Sequence, residues 1–569
     1  MRGHVLSIVF AAATLALSAP VAIAADPPMF LDQGWSKETR ELFYYTPQGS
    51  RFIPYAWFMA LEVADGQGMF ADTAHLERYG FIPADGSHPL NPGGLPIGFA
   101  IDPAGAKPGI PPAAGTDPTD AAKVGQYLGI TCAACHTSNI SIGGRTIRVE
   151  GGAAHVDFDR FYADLAAAVS RTVLDPAKFQ RFATRILGNL SPTAVADLSL
   201  KLSYFEVKIT GDAMIRAPAL ASGFGRVDAL TQSINAIAVA HQSDPQNLRA
   251  VNAPTSYPSL WLSPDLEFVQ WNPIAANPIG RNSAEVLSVF GSAALTGDPK
   301  GWFTSSLLIK QLQDLETWLT VLRPPTWDAN VFGPIDSALA RTGEALFRRD
   351  CVGCHNAPPY RRTDPAANHF RKTFIEIGRV DYRVIGTDPV YFDTLLQRLV
   401  RTNAATAQVH GGQAVVPAAV FFTNTTAAIV ARAMEDAGLT DAEKAALSGF
   451  RLRPPALPGG PPRPYAPPSI TDLKAGPLAG IWATGPYLHN GSVPTVYELL
   501  SPVAERRAVF WTGSRELDRE RLGFASDDAP GRFRFDTSLP GNRNTGHLYP
   551  PQGLSRAERL AIIEYLKTQ

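Results

Sequence analysis

Four cysteines occur in the 569 residues, and they form two pairs of one design. Cys132-Ala-Ala-Cys135 is followed at once by His136, and Cys351-Val-Gly-Cys354 at once by His355. Histidine fills only 11 positions, so chance would place one after both pairs with a probability of about 4 in 10,000. A C-x-x-C-H run attaches haem c. Two thiols separated by two residues reach the vinyl groups along one edge of the macrocycle, and the adjacent histidine falls under the iron. Zinc fits poorly, because pairs so far apart in the chain lack the close ligand spacing of a zinc site. The spacing predicts two covalently bound haem c groups, attached through Cys132, Cys135, Cys351 and Cys354, with His136 and His355 as proximal metal ligands. No cysteine is then left for a disulfide.

Such loops need helices to hold them. Ser337 to Phe347 has apolar residues at helical spacing before the second pair, and Gly343 allows close backbone approach. Ser555 to Lys567 reads as a last helix, with Ser555 as cap, Glu558 at the capping-box position and Leu560, Ile563 and Leu566 as its stripe. Small class I cytochromes c pair a first and a last helix in this way. The first pair has a similar set: a helix expected from Asp120 to Leu128, and another from Leu308 to Leu322 ending at Pro324-Pro325. The expected fold class is therefore mainly α: two class I cytochrome c-like haem domains with long loops and insertions. The expected division is a signal peptide over 1–24, an N-terminal haem domain over 25–330 and a C-terminal one over 331–569, with the boundary in the Pro- and Gly-bearing stretch from Arg323 to Pro334.

Composition bounds the setting. Lys+Arg (51) and Asp+Glu (52) nearly cancel, so no basic field exists to hold nucleic acid. Hydrophobic residues at 45% exclude a disordered chain. Arg2, an apolar run from Val5 to Ala19, and Ala22-Ile23-Ala24 read as a cleavable secretory signal, so the expected location is periplasmic or secreted, without a stable membrane anchor. The Pro-rich run from Arg453 to Pro468 reads as an extended loop. Gly143-Gly144 and Gly459-Gly460 lack the context of a phosphate loop.

Three segments carry a family resemblance: Gly129-Ile-Thr-Cys-Ala-Ala-Cys-His-Thr137, Gly485-Pro-Tyr-Leu-His-Asn-Gly-Ser-Val-Pro-Thr495 and Asn544-Thr-Gly-His547. Together they resemble the dihaem cytochrome c peroxidase superfamily, and within it the rubber oxygenase A-like branch. Ala253 to Trp261 and Val269 to Asn272 are similar to that branch too. The resemblance implies a reactive N-terminal haem on His136, open to dioxygen, and a C-terminal haem on His355 closed by a second histidine. His547 is the expected distal ligand. His489 is its competitor and otherwise packs beside that haem. Where superfamily peroxidases carry a methionine ligand this chain has Val503, and no methionine follows Met434, which favours a bis-His second haem.

At the first haem two readings of His155 stand: a removable distal ligand, or a histidine heading the 157–169 helix. Trp261 and Trp271 are the candidate pocket or inter-haem aromatics, with Phe268 and Glu267 between them. The resemblance implies oxidative C=C cleavage of a polyisoprenoid-like, small-molecule or polymeric apolar substrate with dioxygen. The alternatives are peroxide reduction with an electron-donor protein as partner, or a dihaem electron-transfer protein without catalysis.

Overall fold

The structure, a computed structural model, describes residues 27–102, 125–275, 278–368, 370–447 and 469–569. The expected signal segment, the Pro-rich run to Pro468 and Gly459-Gly460 lie outside the described residues.

The mainly α expectation does not hold. About 41% is helix and 15% is strand, the strands lie in mixed sheets, and two class I cytochrome c-like domains do not describe the fold. The reason is visible around the first cysteine pair. Thr137–Ile142 and Arg145–Glu150 pair antiparallel, from Thr137↔Glu150 to Ile142↔Arg145, and the second is buried at all four of its last residues. Gly143 (φ +55°) and Gly144 (φ +79°) supply the two left-handed residues that the connecting turn requires. Met29–Phe30 adds a parallel strand on Ile147–Arg148.

The helix expected from Asp120 to Leu128 is also corrected where it is described. Tyr127–Ile130 is a strand, buried at all four residues and flanked by Ile53–Pro54 and Phe99–Asp102. Gly129 is needed there because a Cβ would overlap the Ser50 carbonyl oxygen. A run buried on both faces reads alike as strand or helix in sequence, and the flanking strands decide it.

The other helices form close to expectation. Ile309–Leu319 buries Leu312, Leu315 and Leu319. Ser337–Asp350 starts at Asp336, whose carboxylate accepts from the Ala338 and Leu339 amides. Arg556–Leu566 carries a reciprocal capping box between Ser555 and Glu558. These last two helices cross at Gly343, where a Cβ would overlap the Ala561 carbonyl oxygen.

Beside two small apolar clusters, two large ones fill the interior of the described residues. One gathers Phe52, Phe58, Phe70, Phe81, Phe99 and Phe161 edge to face, and Ala134 and Cys135 pack on it. The other draws from both sides of residue 330: Trp35, Trp261, Leu312 and Leu319 with Phe347, Trp482, Ile562 and Leu566. Among the described residues no helix is long and apolar enough to cross a membrane.

Candidate haem-attachment sites

Both cysteine pairs adopt one local geometry. At the first, the Cys135 and His136 amides donate to the Cys132 carbonyl at 3.2 and 2.9 Å. At the second, the Cys354 and His355 amides donate to the Cys351 carbonyl at 3.1 and 2.9 Å. The elements that deliver them differ. A buried strand and the Thr131 cap, whose hydroxyl accepts from the Ala133 amide, lead into the first. The 337–350 helix leads into the second.

Each proximal histidine is aimed by a backbone carbonyl. His136 Nδ1 lies 2.8 Å from the Pro258 oxygen, and His355 Nδ1 lies 2.9 Å from the Gly476 oxygen. A carbonyl only accepts, so Nδ1 carries the proton and Nε2 is left as the ligating nitrogen. Burial holds His136 down to about 4 and lowers His355, so both rings stay neutral, as ligation requires.

The residues fit haem c better than a thiolate-bound metal. Burial pushes the Cys132, Cys135 and Cys351 thiols up to about 12, so the pocket does not favour a thiolate. Among the described residues no group of three or more His, Cys, Asp or Glu converges as a metal site. A pair of thiols beside one free imidazole nitrogen suits a ligand attached covalently to carbon.

The sites differ on the side facing the histidine. The His355 and His547 ring centres lie 6.2 Å apart. One metal ion held at about 2.0–2.1 Å from a nitrogen of each ring sets the centres roughly 6 Å apart. His547 sits at φ +53°, its amide donating to the Ile385 carbonyl at 3.0 Å, and its Nδ1 is buried with no partner among the described residues. The Arg506 guanidinium clamps the loop before it through the Asn544 and Gly546 carbonyls. Burial, with His355 and Arg506 nearby, holds His547 down to about 3. His136, by contrast, has the Tyr257 ring edge-on at 6.3 Å.

The remaining expected residues are dispersed. His489 is 2% exposed, packed on Tyr391 and Phe392, with Nδ1 3.4 Å from the Thr387 hydroxyl. His155 precedes the Phe158–Leu174 helix, capped by Asp157, and packs edge-on against Phe524 at 4.5 Å. Trp271 donates to the Ser256 carbonyl at 2.9 Å and packs with Tyr391 and Phe392. Trp261 donates to the Ala479 carbonyl at 2.7 Å. It therefore ties the segment carrying Pro258 to the segment carrying Gly476, the two carbonyls that aim the proximal histidines.

Sequence reading missed several neighbours of the first pair. The Cys132 thiol lies 3.4 Å from Gln48 Oε1, and Tyr257 hydrogen-bonds Cys135. Glu285 accepts from Gln270 Nε2 at 2.8 Å and is close enough to raise both the Cys132 and Cys135 thiols. Burial raises Glu285 itself. Arg281 pairs with Glu316 and lines a cavity of about 400 Å³ with Leu266, Val269, Ile279, Phe370 and Phe374. No sequence motif marks these contacts, because they join side chains from 15 to 84 residues apart, or farther, that only the fold brings together.

Taken together, the attachment loops and aimed histidines define a haem-containing redox protein of the cytochrome c type, with haem c bound covalently. The profile of the RoxA-like, cytochrome c-like family matches residues 473–512, which include Gly476 and the 485–495 loop. The chain belongs to the same family as the uncharacterized protein y4iJ of Sinorhizobium fredii. The two are 32% identical over 591 residues, 95% of this chain and 93% of that protein. The uncharacterized protein y4iM of the same organism is 27% identical over 364 residues, 60% of this chain and 70% of that one.

Proposed function

We propose that the chain is a periplasmic or secreted dihaem oxidoreductase that cleaves a carbon–carbon double bond of a polyisoprenoid-like substrate with dioxygen at the His136 site. The observation carrying this reading is the unequal partnering of the two proximal histidines. His355 faces His547 at 6.2 Å, whereas His136 faces Tyr257. We read the site with a second imidazole as the closed one and the His136 site, whose ring neighbour is a phenol, as the one that receives a ligand. Haem bound at the His136 site would supply dioxygen activation. One alkene and one dioxygen give two carbonyl ends, so the reaction balances without an outside reductant.

The protein's own part is to orient and exclude. Pro258 fixes the His136 ring through Nδ1, and the phenylalanine cluster behind Ala134 and Cys135 keeps water from the attachment edge. Leu266, Val269, Ile279, Phe370 and Phe374 give the nearby cavity an apolar wall suited to a hydrocarbon chain. His547 and His355 hold the second site for storing or tuning charge, and Trp261 links the two histidine-aiming segments.

A second reading, peroxide reduction fed by an electron-donor protein, is favoured by Glu285. This buried carboxyl beside Cys132 and Cys135, anchored by Gln270, could carry the proton that O–O cleavage consumes.

The test uses the haem-loaded protein. Under the first reading, carbon monoxide binds one haem per chain after reduction, and polyisoprene latex under dioxygen yields aldehyde and ketone ends. Glu285→Gln leaves that yield within about twofold. Peroxide turnover without carbonyl products, falling about 10²–10⁴-fold in Glu285→Gln, would instead establish the second reading. No carbon monoxide adduct would exclude both.

A further inference from the structure

The Pro192–Arg216 helix buries Leu198, Leu202, Phe205 and Ile209 against the fold. Its opposite side is also apolar. Leu200, Tyr204, Val207 and Met214 are 72%, 46%, 66% and 71% exposed. With Gly211 they fall at 200, 204, 207, 211 and 214, steps of four and three that keep one narrow seam facing outward. That is the a/d spacing of a helix meant to meet another helix, not of a helix meeting water.

Gly211 is the informative member. Glycine is a poor helix former, and a Cβ at Gly211 would meet nothing within 4 Å among the described residues. No packing among them explains it. A gap on the seam is explained if a bulky side chain from outside fills it.

The seam carries its own filler. When two copies of this helix lie antiparallel about Val207, Leu200 falls level with the partner's Met214 and Tyr204 comes within one residue, about 1.5 Å along the axis, of the partner's Gly211. The largest residue of the seam then meets the smallest, twice, as a two-fold interface requires. Val207, Lys208 and Gly211 also border a cavity of about 450 Å³. His241, which lines the same cavity, has a buried Nε2 with no partner among the described residues, so a phenol entering there finds a polar contact.

We infer that the protein self-associates through this helix, as an antiparallel two-fold pair in which Tyr204 of each subunit fills the space over the partner's Gly211. The seam and its flanks offer roughly 500 Å² per copy, about 1,000 Å² in total, at the lower edge of specific interfaces. Dissociation belongs in the micromolar range. Lys208 lies beside the axis in both copies, its ammonium 5.8 Å over the Tyr204 ring. The pair therefore tightens as salt screens the two ammonium groups.

The test is sedimentation of the mature haem-loaded protein from about 1 to 100 µM, with variants whose Soret and far-UV spectra match the parent. A concentration-dependent dimer is expected, weakened at least tenfold by Met214→Glu. Under oxidation Val207→Cys gives a disulfide-linked dimer. Leu200→Cys does not, because it lies seven residues from the axis in each copy, and fourteen residues at about 1.5 Å leave its two copies roughly 21 Å apart. A monomer at the highest concentration overturns the inference, as does a dimer indifferent to Met214→Glu. Equal cross-linking of Val207→Cys and Leu200→Cys would mean a parallel pair and overturns it too. So would a monomer that uses this face to bind polyisoprene particles or lipid vesicles.

Discussion

At the scale of the residue, the two histidines competing to close the second site occupy different surroundings. His547 shares a 6.2 Å ring spacing with His355 and has an Nδ1 with no partner among the described residues, whereas His489 is enclosed by Thr387, Tyr391 and Phe392. Substituting His547→Ala in the haem-loaded protein should therefore remove the low-spin bis-His signature of one haem. It should also shift that haem's potential by on the order of 100 mV, since axial ligation is the main lever on potential. His489→Ala should keep both. The reverse pattern in absorption and redox titration would give the ligand role to His489. The attachment residues were legible because thiol and imidazole chemistry imposes a fixed local spacing. The partners that orient them were not. Pro258 and Gly476 act through carbonyl oxygens, which every residue has.

At the scale of the element, the helices flanking the second cysteine pair were legible and the strands were not, one of them being read as the end of a helix. The 337–350 and 556–566 helices announce themselves by caps and by a 3.6-residue stripe. The strands around Cys132 are four to six residues long and form small sheets, too short for an alternating pattern to stand out. Gly343 was legible as a point of close approach, and the structure puts the Ala561 carbonyl where its Cβ would be. Alanine normally stabilises a helix relative to glycine by about 1 kcal/mol. Here the sign should reverse, because the two helices must separate to admit one methyl group. Gly343→Ala is expected to cost ~1–3 kcal/mol in denaturant unfolding, with loss of haem from the second site first. A neutral or stabilising result would mean that the crossing is loose.

At the scale of the whole molecule, two attachment loops in sequence suggested two units, and one apolar cluster draws residues from both sides of residue 330. Trp261 and Trp482 belong to one apolar cluster, and that cluster also holds Leu312 and Ile562. This could not be read from the chain, since periodicity reports which face of an element is apolar and not which other element covers it. Trp261 is where the coupling is most concentrated. Its indole donates to Ala479, its ring fills the space over Gly480 and beside Gly151, and the Gly480 amide in turn bonds the Gln569 carbonyl. Removing that ring leaves a cavity between the segment that aims His136 and the segment that aims His355. Trp261→Ala is therefore expected to cost ~3–5 kcal/mol and to perturb the Soret bands of both haems together. Trp261→Phe keeps most of the ring, loses one hydrogen bond, and should cost about 1 kcal/mol plus the smaller packing loss. Thermal unfolding followed at the Soret band and in the far UV distinguishes the cases. A single coincident transition in the parent, lowered in both probes by Trp261→Ala, follows from a shared core. Two separate transitions, with only one moved by the substitution, would mean that the halves fold independently and that Trp261 serves just one of them.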